Sequence, residues 1–85
     1  MPIVTAQKYF DEAELFMENG LCKEAIEAYK KAIETDPSFF SAYYNLAVIY
    51  HQTQQFYYAI TCLKKAIELD PNDASAFNNL GVIWV

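Results

Sequence analysis

The sequence predicts an all-α fold, an α-solenoid of antiparallel helix pairs with about five helices, and three observations predict it. The segment "YKKAIETDP" at 29–37 returns as "LKKAIELDP" at 63–71, an offset of 34 residues. Apolar and small residues recur at helical spacing within each unit, and turn or stop residues fall at matching places between the helical stretches. At the same offset Tyr9 aligns with Tyr43 and Phe77, Ala13 with Ala47 and Gly81, and Phe16 with Tyr50 and Trp84. Ala25 aligns with Ala59, Ala32 with Ala66, and Pro37 with Pro71. One amphipathic helix pair cannot bury its apolar face alone, so a pair written twice lets neighbours bury each other.

The elements follow in order. A first helix near 5–18 carries Tyr9, Ala13 and Phe16 on one stripe, and Asn19-Gly20 supplies a turn that tolerates the left-handed conformation. A second near 22–35 carries Ala25, Ile26, Tyr29, Ala32 and Ile33, and ends at Asp36-Pro37, because proline disfavours helical backbone in the residue before it. A third near 39–53 repeats the first with Tyr43, Leu46, Ala47 and Tyr50, with Ser38 expected as its N-cap. A fourth near 56–69 repeats the second with Ala59, Ile60, Leu63, Ala66 and Ile67, and stops at Asp70-Pro71. A fifth near 73–84, capped by Asn72 or Asp73, carries Phe77, Leu80, Gly81 and Trp84. Alanines on facing positions let helices approach closely, and the aromatic positions fill the space beside them.

Composition narrows the function. The chain is one domain, 1–85, with repeat 1 at about 6–39, repeat 2 at about 40–73 and a partial repeat 3 at about 74–85. A hydrophobic content of 54% is too rich for intrinsic disorder, yet the longest apolar run, Leu46 to Tyr50, is far short of the ~20 residues that span a bilayer. The start of the chain lacks the basic and long apolar regions of a signal peptide. Net charge is −5 with six Lys and no Arg, which leaves no electrostatic footprint for nucleic acid. Residues 1–37 hold most of the acids, eight against four Lys. Cys22 and Cys62 lie far apart without CxxC spacing, which fits free thiols in a reducing, cytoplasmic setting better than a disulfide framework or a zinc site.

No motif carries chemistry. His51 is the only histidine, with no ligand partner at helical spacing, and reads as a solvated helix residue. The cysteines have no legible base or cation beside them and read as small hydrophobes. Asp11, Glu12, Glu14 and Glu18 crowd one exposed helix rather than converging from different elements. Gly20 and Gly81, the only glycines, form no phosphate loop. The expectation is a non-enzyme without cofactor or metal.

The pattern Tyr43-x2-Leu46-Ala47-x2-Tyr50, then Ala59-x3-Leu63, then Pro71, resembles the tetratricopeptide repeat, whose signature runs aromatic, Leu-Gly, Tyr, Ala, aromatic and Pro over 34 residues. The first unit departs from it at Glu12, where the family usually has Leu, and the third, Phe77-x2-Leu80-Gly81-x2-Trp84, comprises one helix. About three repeats are usually needed for stability, so the chain reads as a piece of a longer array whose last helix covers the second pair and bares an apolar face of its own. That face, with Ile83 and Trp84, is expected to drive self-association into a homo-oligomer.

The resemblance implies that the first helix of each unit lines a concave groove. The groove positions are then Phe10, Asp11, Glu14 and Met17, followed by Tyr44, Asn45, Val48 and His51, and finally Asn78, Asn79 and Val82. Asn45 and Asn79 are equivalent, and two readings stand for them: solvated amides that bind an extended peptide's backbone, or asparagines merely tolerated on a wet face. Family members that clamp a chaperone's C-terminal carboxylate use Lys and Arg in this groove. The matching positions here are Phe10, Glu14, Ser75 and Asn79, with only Asn45 of that set kept. Tyr57 and Tyr58 open the second unit's second helix, and Phe39 and Phe40 open its first, where they are either a contact surface, with the tyrosines joining self-association, or aromatics packed over a loop. The function implied is a protein-protein interaction module whose partner is a protein or an extended peptide. The alternative is a targeting or substrate-recruiting arm of a larger enzyme.

Overall fold

A computed structural model describes residues 5–72 of the chain. Four helices account for nearly all of it: α1 (Ala6–Glu18), α2 (Cys22–Thr35), α3 (Phe40–Gln52) and α4 (Phe56–Leu69). No strand occurs among the described residues. The expected fifth helix near 73–84, the Asp73 cap, and the candidates Asn78, Asn79, Val82, Ile83 and Trp84 lie outside the described residues. α1 packs on α2, α3 packs on α4, and a smaller α2–α3 contact joins the two pairs.

Small residues set the spacing of these helices. Ala13, Ala25, Ala32, Ala42, Ala59 and Ala66 have no exposed surface at all. A side chain of one methyl lets the backbones approach, and the larger groups around them complete the packing. Ala25 and Ala59, equivalent by the 34-residue offset, occupy the same core cluster together with Tyr29, Leu46, Ile49 and Tyr50. A second cluster, Ala47, Leu63 and Ala66, gathers Phe40, Tyr43, Tyr44 and Ile67 around it.

The helix ends explain the loops. Thr5 caps α1, its hydroxyl accepting from the Lys8 N–H at 3.3 Å. α1 ends in a Schellman turn: Leu21 N–H donates to the Phe16 carbonyl at 2.9 Å and Gly20 N–H to Met17 at 3.0 Å, with Gly20 at φ +72°. α3 ends the same way, with Gln55 N–H on Tyr50 at 2.7 Å and Gln54 N–H on His51 at 3.1 Å. There the left-handed residue is Gln54, at φ +63°.

Ser38 is not the cap of α3. Phe39 holds that place without a side-chain cap bond, and α3 begins at Phe40. Asp36 takes up Ser38 instead, its Oδ1 accepting from the Ser38 N–H at 3.1 Å and from the Ser38 hydroxyl at 2.8 Å. Closing this turn around Pro37 leaves Ser38 one residue too early to reach the first free N–H groups of the helix. The second unit repeats the device, with Asn72 N–H donating to Asp70 Oδ1 at 3.3 Å.

Candidate functional site

Aromatic rings join α1, the first helix of the first pair, to α2 and to the residue that opens α3. Phe10 stacks on Phe39, with centroids 5.1 Å apart and planes at 21°, and meets Tyr29 edge-on at 5.5 Å. Tyr29 lies buried beneath them, and its hydroxyl accepts a hydrogen bond from Asn45 Nδ2 at 3.3 Å. That bond crosses from α3 to α2 and uses one of the two N–H groups of the Asn45 amide. The second N–H and the carbonyl are the groups that an amide has left to offer a ligand. Burial raises the Tyr29 hydroxyl above the usual tyrosine pKa, the Asn45 hydrogen bond opposes the rise, and the Glu14 carboxylate adds to it. Glu14 is therefore within electrostatic reach of the same hydroxyl.

The eight groove candidates among the described residues divide by burial. Asp11, Glu14 and His51 are exposed, and Asp11 is steadied by Gln7, whose Nε2 donates to Asp11 Oδ1 at 2.8 Å. Asn45 and Val48 are half-buried. Phe10, Met17 and Tyr44 are half-buried as well, but they also pack against the core clusters, so each serves the fold before it serves a ligand. The expectation that Asn45 is a free, solvated amide is corrected: Tyr29 holds it. Tyr29 is core by register as well as by burial, and nothing in the repeat marks it as a partner for Asn45, because its counterpart at the 34-residue offset, Leu63, has no hydroxyl.

The remaining aromatics separate into two groups. Phe39 and Phe40 are half-buried and packed on neighbouring rings, Phe39 on Phe10 and Phe40 on Tyr44 with centroids 6.2 Å apart. Tyr57 and Tyr58 are 77% and 55% exposed, and only Tyr58 leans on the core, 5.4 Å from the Tyr50 ring. Tyr50 and Tyr58 line a crevice of about 520 Å³ with Ile26, Lys30 and Gln55. Burial pushes the nearby Cys62 thiol up to about 11, against a weaker pull from the Lys30 ammonium, which makes it a poor nucleophile at neutral pH. Both cysteines are free thiols. Among the described residues no cluster of His, Cys, Asp or Glu has the makings of a metal site. No described helix is long and apolar enough to cross a membrane.

Two family models match this chain, one described as TPR repeat over residues 13–54 and one as Tetratricopeptide repeat over residues 40–73. The chain belongs to the tetratricopeptide-repeat family. Solved structures share the fold. A crystal structure of MamA protein superposes with a TM-score of 0.91 at 24% identity, over 94% of this chain and 44% of that one. A second MamA crystal structure gives 0.86 at 29% identity, over 93% and 46%. The second TPR of Spaghetti (RPAP3), bound to the HSP90 peptide SRMEEVD, gives 0.88 at 28% identity, over 93% and 73%. The chain thus spans less than half the length of the MamA chains. No curated protein matches it in sequence.

Proposed function

We propose that this tetratricopeptide-repeat chain is a non-enzymatic interaction module whose α1–α3 face receives an extended peptide or an extended segment of a partner protein. The observation that carries this reading is the Asn45 amide, held in place by the buried Tyr29 hydroxyl at 3.3 Å on a residue of α3 that is only half-buried. A fixed amide matches the alternating N–H and C=O of an extended backbone and loses little freedom on binding. The peptide-bound Spaghetti domain, 28% identical to this chain, supports peptide recognition by this fold. An arm that recruits substrates to a larger enzyme would use the same groove and would differ only in what is attached to it.

Selection of binders from a displayed library of nine-residue peptides tests the reading. Selected peptides are expected to lose at least about fivefold in affinity on Asn45→Ala, the scale of one hydrogen bond of about 1 kcal/mol. They should also weaken on Tyr29→Phe, which frees the amide without removing it. Unchanged affinity in both variants, with circular dichroism showing folded protein, would refute the groove.

A further inference from the structure

The structure distributes its charges unevenly between its two sides. Five of the six lysines, Lys23, Lys30, Lys31, Lys64 and Lys65, lie on α2 and α4, the second helices of the pairs. The groove side of α1 carries Asp11 and Glu14, both exposed. Lys8, the remaining lysine, lies one turn before Asp11 on α1, and the two line one surface crevice with Glu12 and Leu15, so it offsets part of the Asp11 charge and leaves Glu14 alone. α3 brings no carboxylate and no lysine to the groove, where its positions are Tyr44, Asn45, Val48 and His51. A ligand lying across α1 and α3 therefore meets carboxylates at one edge, a fixed amide in the middle, and half-buried Tyr44 and Val48 at the other. Beside the carboxylates the stacked Phe10 and Phe39 rings offer an apolar wall. Long cationic side chains suit that combination, since their methylene stems pack on rings while their heads reach carboxylates.

We infer that the groove selects extended peptides bearing Arg or Lys and rejects acidic ones, with Asp11 and Glu14 as the charge-selecting residues. This inference rests on the groove proposed above. It sets this chain apart from the Spaghetti domain, whose bound peptide, SRMEEVD, is rich in acids. A carboxylate-bearing ligand entering here would face two carboxylates, which the single ammonium of Lys8 offsets only in part.

The test uses three fluorescein-labelled nine-residue peptides in which Arg, Gln or Glu alternates with Leu and Ala, with binding followed by fluorescence anisotropy. The Arg peptide is expected to bind about tenfold tighter than the Gln peptide at low salt, the combined scale of two exposed ion pairs, and the Glu peptide to bind weakest. Added salt should narrow the gap. The double variant Asp11→Asn with Glu14→Gln should bring the Arg peptide to the Gln level. The distant pair Glu24→Gln with Glu34→Gln changes net charge equally and should leave the preference intact. Equal binding of the Arg and Gln peptides, or an equal loss from the distant pair, overturns the charge selection; the groove then still stands if Asn45→Ala weakens the Gln peptide. Absence of binding by all three peptides overturns both.

Discussion

Exchanging the residues at the two Schellman turns should move stability in opposite directions. Gly20 and Gln54 are equivalent by the 34-residue offset and both adopt the left-handed conformation, at φ +72° and +63°. For a residue with a Cβ this conformation costs roughly 1–2 kcal/mol, while glycine enters it freely. Glycine also has more unfolded-state freedom to lose, roughly 0.5–1 kcal/mol relative to a residue with a side chain. The difference leaves Gln54→Gly stabilising by about 0.5–1 kcal/mol. Gln54 is exposed, so its side chain contributes little packing to subtract. Conversely, a Cβ built on Gly20 meets nothing within 4 Å, so Gly20→Ala brings backbone strain without a clash and should cost about 1 kcal/mol. Urea denaturation followed by circular dichroism reads both, and about 1 kcal/mol corresponds to a midpoint shift of roughly 0.3–1 M at the m-values usual for small proteins. A lower midpoint for Gln54→Gly at unchanged m-value, or an unchanged midpoint for Gly20→Ala, would refute the reasoning.

Ala59→Leu should destabilise by ~1–3 kcal/mol, because Ala59 has no exposed surface and three added carbons must displace neighbours in the core; an unchanged urea midpoint would show that the helices can part. Asn45→Ala should cost about 0.5–1.5 kcal/mol through loss of the bond to the Tyr29 hydroxyl, and a double-mutant cycle with Tyr29→Phe should show the two changes to be non-additive. Cys62, whose thiol burial raises to about 11 from 9.0, should make the fold less stable as pH climbs from about 9 to 11. The unfolded chain releases that proton first, so the stabilising term is whole below pH 9 and is lost as pH passes the folded value. Urea midpoints measured across that range should fall less steeply in Cys62→Ala than in the parent chain. Equal slopes would place the alkaline loss elsewhere, for example on Tyr29 or Tyr50, whose hydroxyls are also raised by burial.

The four described helices were legible in the sequence because the forces that define them are local or periodic. α2 and α4 span the predicted residues, since a 3.6-residue apolar stripe and an Asp-Pro stop act within one segment. The 34-residue echo also made the pairing legible, because equivalent alanines have equivalent partners. Tertiary structure alone decided which polar groups were spoken for. Asn45 and Tyr29 are 16 residues apart on different helices, and no spacing rule within one helix connects an amide at a wet position to a hydroxyl at a buried one. Ser38 matched the composition of a helix cap, yet Asp36 captured it, because the turn around Pro37 brought the two within hydrogen-bond distance before α3 began. Gln54 carries no turn signal of the kind Gly20 does, and its backbone is left-handed because the α3–α4 pair closes with the same turn as α1–α2. Periodicity determines which face of each helix is buried. The partners of individual polar atoms depend on how the faces meet, and that is set only when distant segments pack.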